Sequence, residues 1–343
     1  MAICRFAGCC HRSKITAILI VANLLKEFKK MTKTKLHAVS RTQGNNRALK
    51  EGEVSLPDFE LDFEEVPVLV HGFRRMVREL AYDVCEMALT TYICAKAHGV
   101  KFTALPIFLV RDFHHDAILH HVPSGLTSPA DLAGKRVGVN RGYTVTTGVW
   151  ARSIIQEEFD VDLSSITWAP SGDEHVAEYR APGNVQPLED GDLAGRLSSG
   201  DLVAAVGAKV DHPDVATMFE DPFAAAVGAL KTRGLYPINH CVVVRDELLE
   251  QNPDVAVQVM EGFAASKRLY VEELKAGRIS APSRVDKIHQ AALDYMDDPL
   301  PYGIEPNRDT LEKLIGHAVT QKIISEPMAM EDLFAKPVLD TVA

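Results

Sequence analysis

Two stretches of this 343-residue chain concentrate groups suited to chemistry. Arg111-Asp112-Phe113-His114-His115-Asp116 is the densest ionisable cluster in the sequence. Histidine titrates near neutral pH and can give or take a proton, and arginine presents a planar fork that matches a carboxylate. The second stretch, GKRVGVNRGYTVTTGVWAR from Gly134 to Arg152, reads as a short buried strand, a glycine turn and the first turns of a helix. With Thr144 or Thr146 as the cap, the first free N–H groups of that helix would face beyond the strand end, where a partial positive charge favours a carboxylate or phosphate. The plainer alternative is a strand, turn and helix whose glycines only make the turn. The segment is neither GxGxxG nor GxxxxGKS, so dinucleotides and nucleoside triphosphates gain no support.

His114-His115 and His120-His121 raise the question of a metal. Neighbouring side chains on a strand point to opposite faces, so each pair offers one imidazole to a common ion. No fixed ligand spacing emerges, and no metal is assigned. Flavin, nicotinamide and pyridoxal sites have no motif either, so no cofactor is expected.

Length and composition narrow the setting. A chain this long exceeds a usual single core and predicts two domains. Hydrophobic content of 46% and charged content of 24% are those of a soluble globular protein. Residues 1–30 hold six Lys or Arg and one acidic residue, which leaves 31 basic against 46 acidic residues in the remainder. A body that acidic has no basic excess for phosphates, so nucleic acid is excluded as a partner.

Arg5, Arg12 and Lys14 precede the apolar run Ile15 to Leu25, which imitates a signal peptide. Lys26-Glu27-Phe28-Lys29-Lys30 stands where a small-residue cleavage site belongs, and 11 apolar residues are too few to span a bilayer. Phe6-Ala7-Gly8-Cys9 resembles a lipoprotein box but lacks an apolar run before it. Residues 1–33 are therefore expected to be an extension outside the fold, with natural translation starting at Met31; a divergent export signal is the alternative. Cys4, Cys9 and Cys10 belong to that extension. Cys85, Cys94 and Cys241 remain, an odd number without CxxC spacing, which argues against a disulfide framework or structural zinc and for a reducing cytoplasm.

In order, the chain reads as strands at 36–40 and 59–66, a helix at 73–80, and a third strand from Tyr82 to Leu89 running into Thr90-Thr91-Tyr92. That is βαβαβ, the sign of a parallel sheet in an α/β fold. Strands at 102–110 and 117–122 follow, then the organising strand and helix, strands at 166–169, 202–206 and 241–244, and helices at 253–274 and 309–321.

This order resembles the two-lobed fold of type II periplasmic binding proteins, with SPADLAGKRVGV typical of the crossing into the second lobe and GLYPINHCVVVRDELL of the return. More specifically, the chain resembles the 4,5-dihydroxyphthalate decarboxylase family, cytoplasmic enzymes built on that fold. DVCEMALTTY (83–92), RDFHHD (111–116), GKRVGVNRGYTVTTGVWAR (134–152), GLYPINHCVVVRDE (234–247) and YGIEPNRDTLE (302–312) carry the resemblance. It covers roughly Lys35 to Phe334. His114, where a second basic residue such as Arg is common, and the loop around Asp173 to Pro187 depart from the pattern, so the exact aromatic substrate stays open.

The resemblance implies a first lobe from residues 34–124 and 236–343, a second from 125–235, and a cleft between them. It also implies non-oxidative decarboxylation of 4,5-dihydroxyphthalate to protocatechuate and carbon dioxide in phthalate breakdown. A solute-binding protein delivering an aromatic acid to a transporter is the rival. The expected partner is a small aromatic dicarboxylate, with no membrane involved and a homo-oligomer left open. Arg41, Glu86, Thr90, Arg111, His115, Tyr143, Thr146, His240 and Asn307 fall where the two-lobed plan directs side chains into the cleft. Singly, Glu86 could cap a helix, Arg111 could hold a surface ion pair, and Tyr302, Glu305 and Asn307 could only shape a turn. The reaction implied needs proton transfer and carboxylate binding. His115 is the expected proton-transfer residue with Glu86 or His240 as its counterpart, while Arg111, Arg41 and the helix start at Thr144, Thr146 and Thr147 hold carboxylates.

Overall fold

The structure, a computed structural model, describes residues 33–343. The amino-terminal extension, apart from its last residue, lies outside the described residues. Strands β1 (Thr34–Val39), β2 (Phe59–Glu64), β3 (Val84–Ala88), β4 (Phe102–Arg111) and β10 (Ile238–Arg245) form one sheet in the order β2-β1-β3-β10-β4. A second sheet has the order β7-β6-β8-β5-β9, from β5 (Ile118–His121), β6 (Arg136–Val139), β7 (Thr167–Pro170), β8 (Ala204–Val206) and β9 (Val215–Thr217). The chain passes between the sheets twice, after Arg111 and after Thr217.

Within the first sheet β1, β2 and β3 run parallel, and β10 enters antiparallel between β3 and β4. Carboxyl ends of β1, β3 and β4 therefore lie beside the start of β10, which brings Ser40, Leu89 and Arg111 to one rim with Ile238, Asn239 and His240. Ends of parallel strands are where open α/β sheets bind ligands. Pro106 lies inside β4, where its missing N–H would weaken a central strand. The edge position tolerates it. The pairing also slips there, since Cys241 faces Phe108 while Val242 faces Leu105, and a bulge is the usual home for such a residue. On one face the helix Asp254–Lys275 lays Val255, Val259, Met260 and Phe263 against this sheet, an i, i+4 stripe of buried residues.

Several sequence expectations change. The strand expected to run through Thr90 to Tyr92 stops at Ala88, and Leu89–Ala97 is a helix. All residues from Leu89 to Ala95 are buried, so no polar stripe advertised helical periodicity. Ile118–His121, expected with the first lobe, pairs with β8 and β9 in the second sheet. The helix expected to be capped by Thr144 or Thr146 spans Thr146–Phe159 with Val145 at the cap position and no side-chain cap. A Cβ on Gly138 in β6 would meet Leu193 Cδ1 at 2.2 Å, so a larger residue there would have to displace that leucine side chain.

The rims of the two sheets touch directly. Thr90 donates its N–H to Thr146 Oγ1 (3.1 Å) and its hydroxyl to the Thr144 carbonyl (2.6 Å). Fully buried Trp150 donates to the Ile238 carbonyl at 3.0 Å. No helix of the described residues is long and apolar enough to cross a membrane.

Candidate active site

Glu86 and His240 form a bonded pair at the rim of the first sheet. Glu86 faces Val242 across the β3–β10 ladder, and His240 is two residues away on the same side of β10. Such diagonal neighbours are within reach of long side chains. His240 Nδ1 lies 2.6 Å from Glu86 Oε1. The other carboxylate oxygen accepts from the Ser40 hydroxyl (2.7 Å) and the Arg41 N–H (3.0 Å). Asn46 fixes the turn that presents those donors, giving its amide hydrogens to Ser40 Oγ and the Arg41 carbonyl, both at 2.9 Å.

Glu86 is only 1% exposed. Burial, the largest influence, pushes its pKa up, but the His240 bond and charge, the Ser40 bond and the Arg41 charge outweigh it and hold the carboxyl below its ordinary value. An ionised carboxylate only accepts hydrogen bonds, so His240 Nδ1 carries a proton. Its Nε2 is then the position left open, a lone pair in the neutral ring and an N–H donor in the imidazolium. Nε2 has no hydrogen-bond partner among the described residues, and the side chain is 18% exposed. Phe73 sets its edge at 90° to the imidazole, 5.2 Å between centroids.

Of the nearby arginines, Arg41 acts on Glu86, while Arg74, Arg78 and Arg141 act on His175. Exposed Arg41 follows Ser40, and its guanidinium has no hydrogen bond or ion pair among the described residues. The same holds for Arg141, at the end of β6, whose φ of 65° places a non-glycine residue in the left-handed region. Such conformations persist where the surroundings enforce them and concentrate at ligand sites. Arg74 and Arg78, on the helix Leu69–Glu79, both bind Asp173 from the loop after β7. Next to Asp173, His175 bonds Thr91 at 3.0 Å and sets its ring against Phe73. Burial and the charges of Arg74 and Arg141 push His175 down to about 4, so it is neutral at pH 7.

Two N–H groups of the turn before the helix Thr146–Phe159 hold an anion from the protein, while those of Thr146, Thr147 and Gly148 at the helix start have no acceptor among the described residues. Glu174 accepts from Tyr143 N–H (2.5 Å), Thr144 N–H (3.1 Å) and the Thr144 hydroxyl (2.6 Å). Gly142 has to lack a side chain here, since a Cβ would stand 2.6 Å from Glu174 Oε2. Thr90, Thr144 and Thr146 bind one another, and the Tyr143 ring stacks under the Arg152 guanidinium at 3.9 Å.

Arg111 and Asn307 bond each other and, among the described residues, neither bonds Glu86 or His240. Arg111 is 2% exposed, which excludes a surface ion pair; it donates to the Tyr236 carbonyl (2.7 Å) and to Asn307 Oδ1 and lies over the Tyr236 ring. Burial lowers its guanidinium to about 10.

His115 also stands apart. Its Nε2 bonds Glu158 at 2.9 Å, and Arg233 binds the same carboxylate. Glu158 is twelve residues beyond Thr146 on the Thr146–Phe159 helix, roughly 18 Å at 1.5 Å per residue, so His115 belongs to the far end of that helix. His114 turns the other way and bonds Asn239 at 2.9 Å, so the histidine pair diverges. Thr147 lines a small cavity of about 60 Å³ with His114 and Lys209. Of the residues expected from the sequence, the structure brings Glu86, His240 and Arg41 together and sets His115 with Glu158; Arg141 and Glu174 carried no expectation.

Comparison with known proteins bears on the whole arrangement. No family model matches the chain. The 4,5-dihydroxyphthalate decarboxylase of Comamonas testosteroni is 29% identical over 327 residues, covering 89% of this chain and 97% of that protein. The 4,5-dihydroxyphthalate decarboxylase of Pseudomonas putida is 34% identical over 200 residues, 52% of this chain and 75% of the relative. Among solved structures, the periplasmic aliphatic sulphonate binding protein SsuA from Escherichia coli superposes with a TM-score of 0.52 at 11% identity, covering 90% of this chain and 99% of that one. The desulfurization enzyme DSZB superposes at 0.55 with 14% identity, covering 88% and 96%. Those two likenesses show the fold, a periplasmic-binding-protein architecture that here carries two five-stranded sheets. Sequence similarity on this scale, on that fold, makes the chain a member of the 4,5-dihydroxyphthalate decarboxylase family.

Proposed function

We propose that this chain removes carbon dioxide from 4,5-dihydroxyphthalate to give 3,4-dihydroxybenzoate, with His240 as the proton-transfer residue and Glu86 as the residue that positions it. The observation that carries this reading is the 2.6 Å bond from His240 Nδ1 to a buried, ionised Glu86. That bond fixes the tautomer and leaves Nε2 to face the substrate, as a residue that passes a proton requires. Arg41 and Arg141, the two guanidiniums here without partners among the described residues, are assigned to the substrate carboxylates.

In this substrate each carboxylate is para to a hydroxyl. The hydroxyl oxygen pushes electron density toward the carboxylate-bearing carbon, which takes a proton from His240 Nε2–H. The carbon–carboxylate bond then breaks, its electron pair restores the aromatic ring, and carbon dioxide leaves. Solvent reprotonates His240, so the balance is one dianion and one proton in, one monoanion and carbon dioxide out. The departing carboxylate loses its charge, which suits the apolar edge of Phe73; the retained one keeps an arginine.

Two further readings go with this one. The first sheet with its helices is one lobe and the second sheet the other, with crossings near Arg111 and between Thr217 and Ile238. A reducing compartment fits the three buried free cysteines, Cys85, Cys94 and Cys241. The test is incubation of the purified chain with 4,5-dihydroxyphthalate, following carbon dioxide and 3,4-dihydroxybenzoate. Release is expected, and it should fall by about 10²–10⁴-fold in His240→Ala. Tight binding with no release from any hydroxylated phthalate would make the chain a binding protein.

A further inference from the structure

Two cavities flank the start of the helix Arg284–Ala292. The larger, of about 900 Å³, runs from Ser283, Val285 and Asp286 to Arg41 and Gln43, both of which contact Glu86, so it belongs with the proton-transfer pair. The smaller, of about 60 Å³, is lined by Arg284 together with His114, Thr147, Gly207 and Lys209. A cavity that holds an aromatic ring measures about 150 Å³, so the smaller one admits a ring substituent and not the ring.

His114 decides which substituent fits. It is 2% exposed, and its Nε2 lies 2.9 Å from Asn239 Oδ1. An amide oxygen only accepts, so Nε2 carries the hydrogen. Burial, the largest influence, holds the imidazole below its ordinary value, which leaves the ring neutral at pH 7 with a lone pair on Nδ1. That nitrogen has no partner among the described residues and, unlike His115 Nδ1, is not sealed in the core. Thr147 brings donors to the same cavity: the N–H groups of Thr146, Thr147 and Gly148 have no acceptor among the described residues, and they carry the positive end of a 14-residue helix. Both walls border the pair. Asn239 precedes His240 in β10, and Thr146 bonds Thr90, two residues beyond the Ala88 that faces His240. The carboxylates of the lining, Asp112 and Asp116, both pair with Arg284, while Lys209 is exposed without an ion pair among the described residues. A carboxylate here would set its lone pairs against that of His114; a hydroxyl can give a hydrogen to His114 and accept one from the helix start.

Resting on the decarboxylation reading, we infer that this cavity is the subsite for a phenolic hydroxyl of the substrate, the one para to the carboxylate that leaves, with His114 Nδ1 as the acceptor of its hydrogen and the Thr147 N–H as a donor to its oxygen. As the ring carbon takes the proton from His240 Nε2–H, the hydroxyl gives its hydrogen to His114 and its oxygen becomes a carbonyl. When the carbon–carboxylate bond breaks, its electron pair passes through the ring to that oxygen, which takes the hydrogen back from His114. The helix start and Lys209 favour the negative charge that the oxygen carries in between.

The test uses the full chain carrying His240→Ala, so that ligand is not consumed, and calorimetric titration with phthalate and 4-hydroxyphthalate. Expected is tighter binding of 4-hydroxyphthalate by about tenfold, as one buried hydrogen bond gives, and a preference within about twofold once His114→Leu is added. In the His240→Ala chain the ¹⁵N resonance of His114 Nδ1 should move with 4-hydroxyphthalate and not with phthalate, a readout independent of how His114→Leu folds. Equal affinities with that resonance unmoved would mean that the cavity holds water only and would overturn the inference, as would a preference that persists undiminished in a folded His114→Leu chain. With His240 in place, His114→Leu should lower kcat on 4,5-dihydroxyphthalate by about 10²-fold or more; a kcat within threefold of the parent would overturn the proton step. Hydroxyl-selective binding through His114, in a protein whose parent chain releases no carbon dioxide from 4,5-dihydroxyphthalate, would sink the decarboxylase reading and leave the subsite standing. Release by the parent chain without hydroxyl preference would do the reverse.

Discussion

Replacing Glu86 with glutamine changes one charge and almost no volume, and the surrounding donors dictate how the new amide must sit. Glu86 Oε2 accepts the Arg41 backbone N–H at 3.0 Å and the Ser40 hydroxyl at 2.7 Å. A backbone N–H can only donate, so the glutamine must keep its carbonyl oxygen there and turn its NH₂ toward His240. His240 Nδ1 then faces a donor and must become the acceptor, which moves the ring hydrogen to Nε2. The neutral ring would present N–H where the parent presents a lone pair, and the imidazolium would lose its carboxylate. A histidine locked in the wrong tautomer beside an amide loses about 10⁴ in rate in the best-studied carboxylate–histidine pair, and loss of a general acid or base typically costs about 10²–10⁴. We expect kcat to fall within that range, on the order of 3–5 kcal/mol of barrier, with KM changed little because Glu86 does not touch the carboxylates. Steady-state rates of 3,4-dihydroxybenzoate formation measure both constants. A kcat within threefold of the parent, from a variant whose circular dichroism and urea midpoint are unchanged, would show that the tautomer of His240 does not matter and that another group moves the proton.

Other expectations are simpler. His115→Ala should leave turnover within a few-fold of the parent but lower the urea midpoint, because His115 stands with Glu158 and Arg233; a loss of 10²-fold or more would return His115 to the chemistry. Arg141→Ala should raise KM by about tenfold or more through a lost charge-assisted carboxylate contact, and Arg41→Ala likewise; unchanged KM in both would remove them from the site. Folding stability should fall between pH 6.5 and pH 4: His175 and His289 are pushed by burial to about 4, so in that window the unfolded chain binds protons that the folded chain does not. Their contribution is complete above pH 6.5 and shrinks as pH falls, by on the order of 3 kcal/mol each at about 1.4 kcal/mol per pH unit; a flat unfolding free energy from pH 7 to 4.5 would contradict it.

The elements legible in the sequence are those whose defining interactions are local. Strands such as Thr34–Val39 and Ile238–Arg245 declare themselves through alternation and β-branched residues. The helix Leu89–Ala97 does not, because both neighbouring layers cover it and its sequence, LTTYICAKA, has no polar stripe. The sheet that Ile118–His121 joins is not readable either, since its partners β8 and β9 lie far along the chain. Glu86 and His240 each stand out as candidates from their strand-end positions. Their bond does not, because it depends on β10 inserting beside β3 across a separation of 154 residues. Arg141 does carry a signal: Asn140-Arg141-Gly142 reads as a turn, and a turn forces some residue into an unusual backbone state.

Glu174 shows a different kind of gap. The turn before Thr146 attracts an anion, as its sequence implies, and the structure has one there, bound by two N–H groups and a hydroxyl. Nothing local says that the chain supplies it from thirty residues onward, in a loop without periodicity. The consequence reaches the chemistry. With the Tyr143 and Thr144 N–H groups taken, the N–H groups of Thr146, Thr147 and Gly148 and the guanidiniums of Arg41 and Arg141, without partners among the described residues, are left open to a dicarboxylate. The loop that delivers Glu174 also carries Asp173, which ties Arg74 and Arg78 of the first lobe to the second, and His175, which packs on Phe73. One short segment thus occupies two N–H groups of that turn, ties the helix Leu69–Glu79 to the loop after β7, and packs His175 on Phe73, whose ring in turn meets His240.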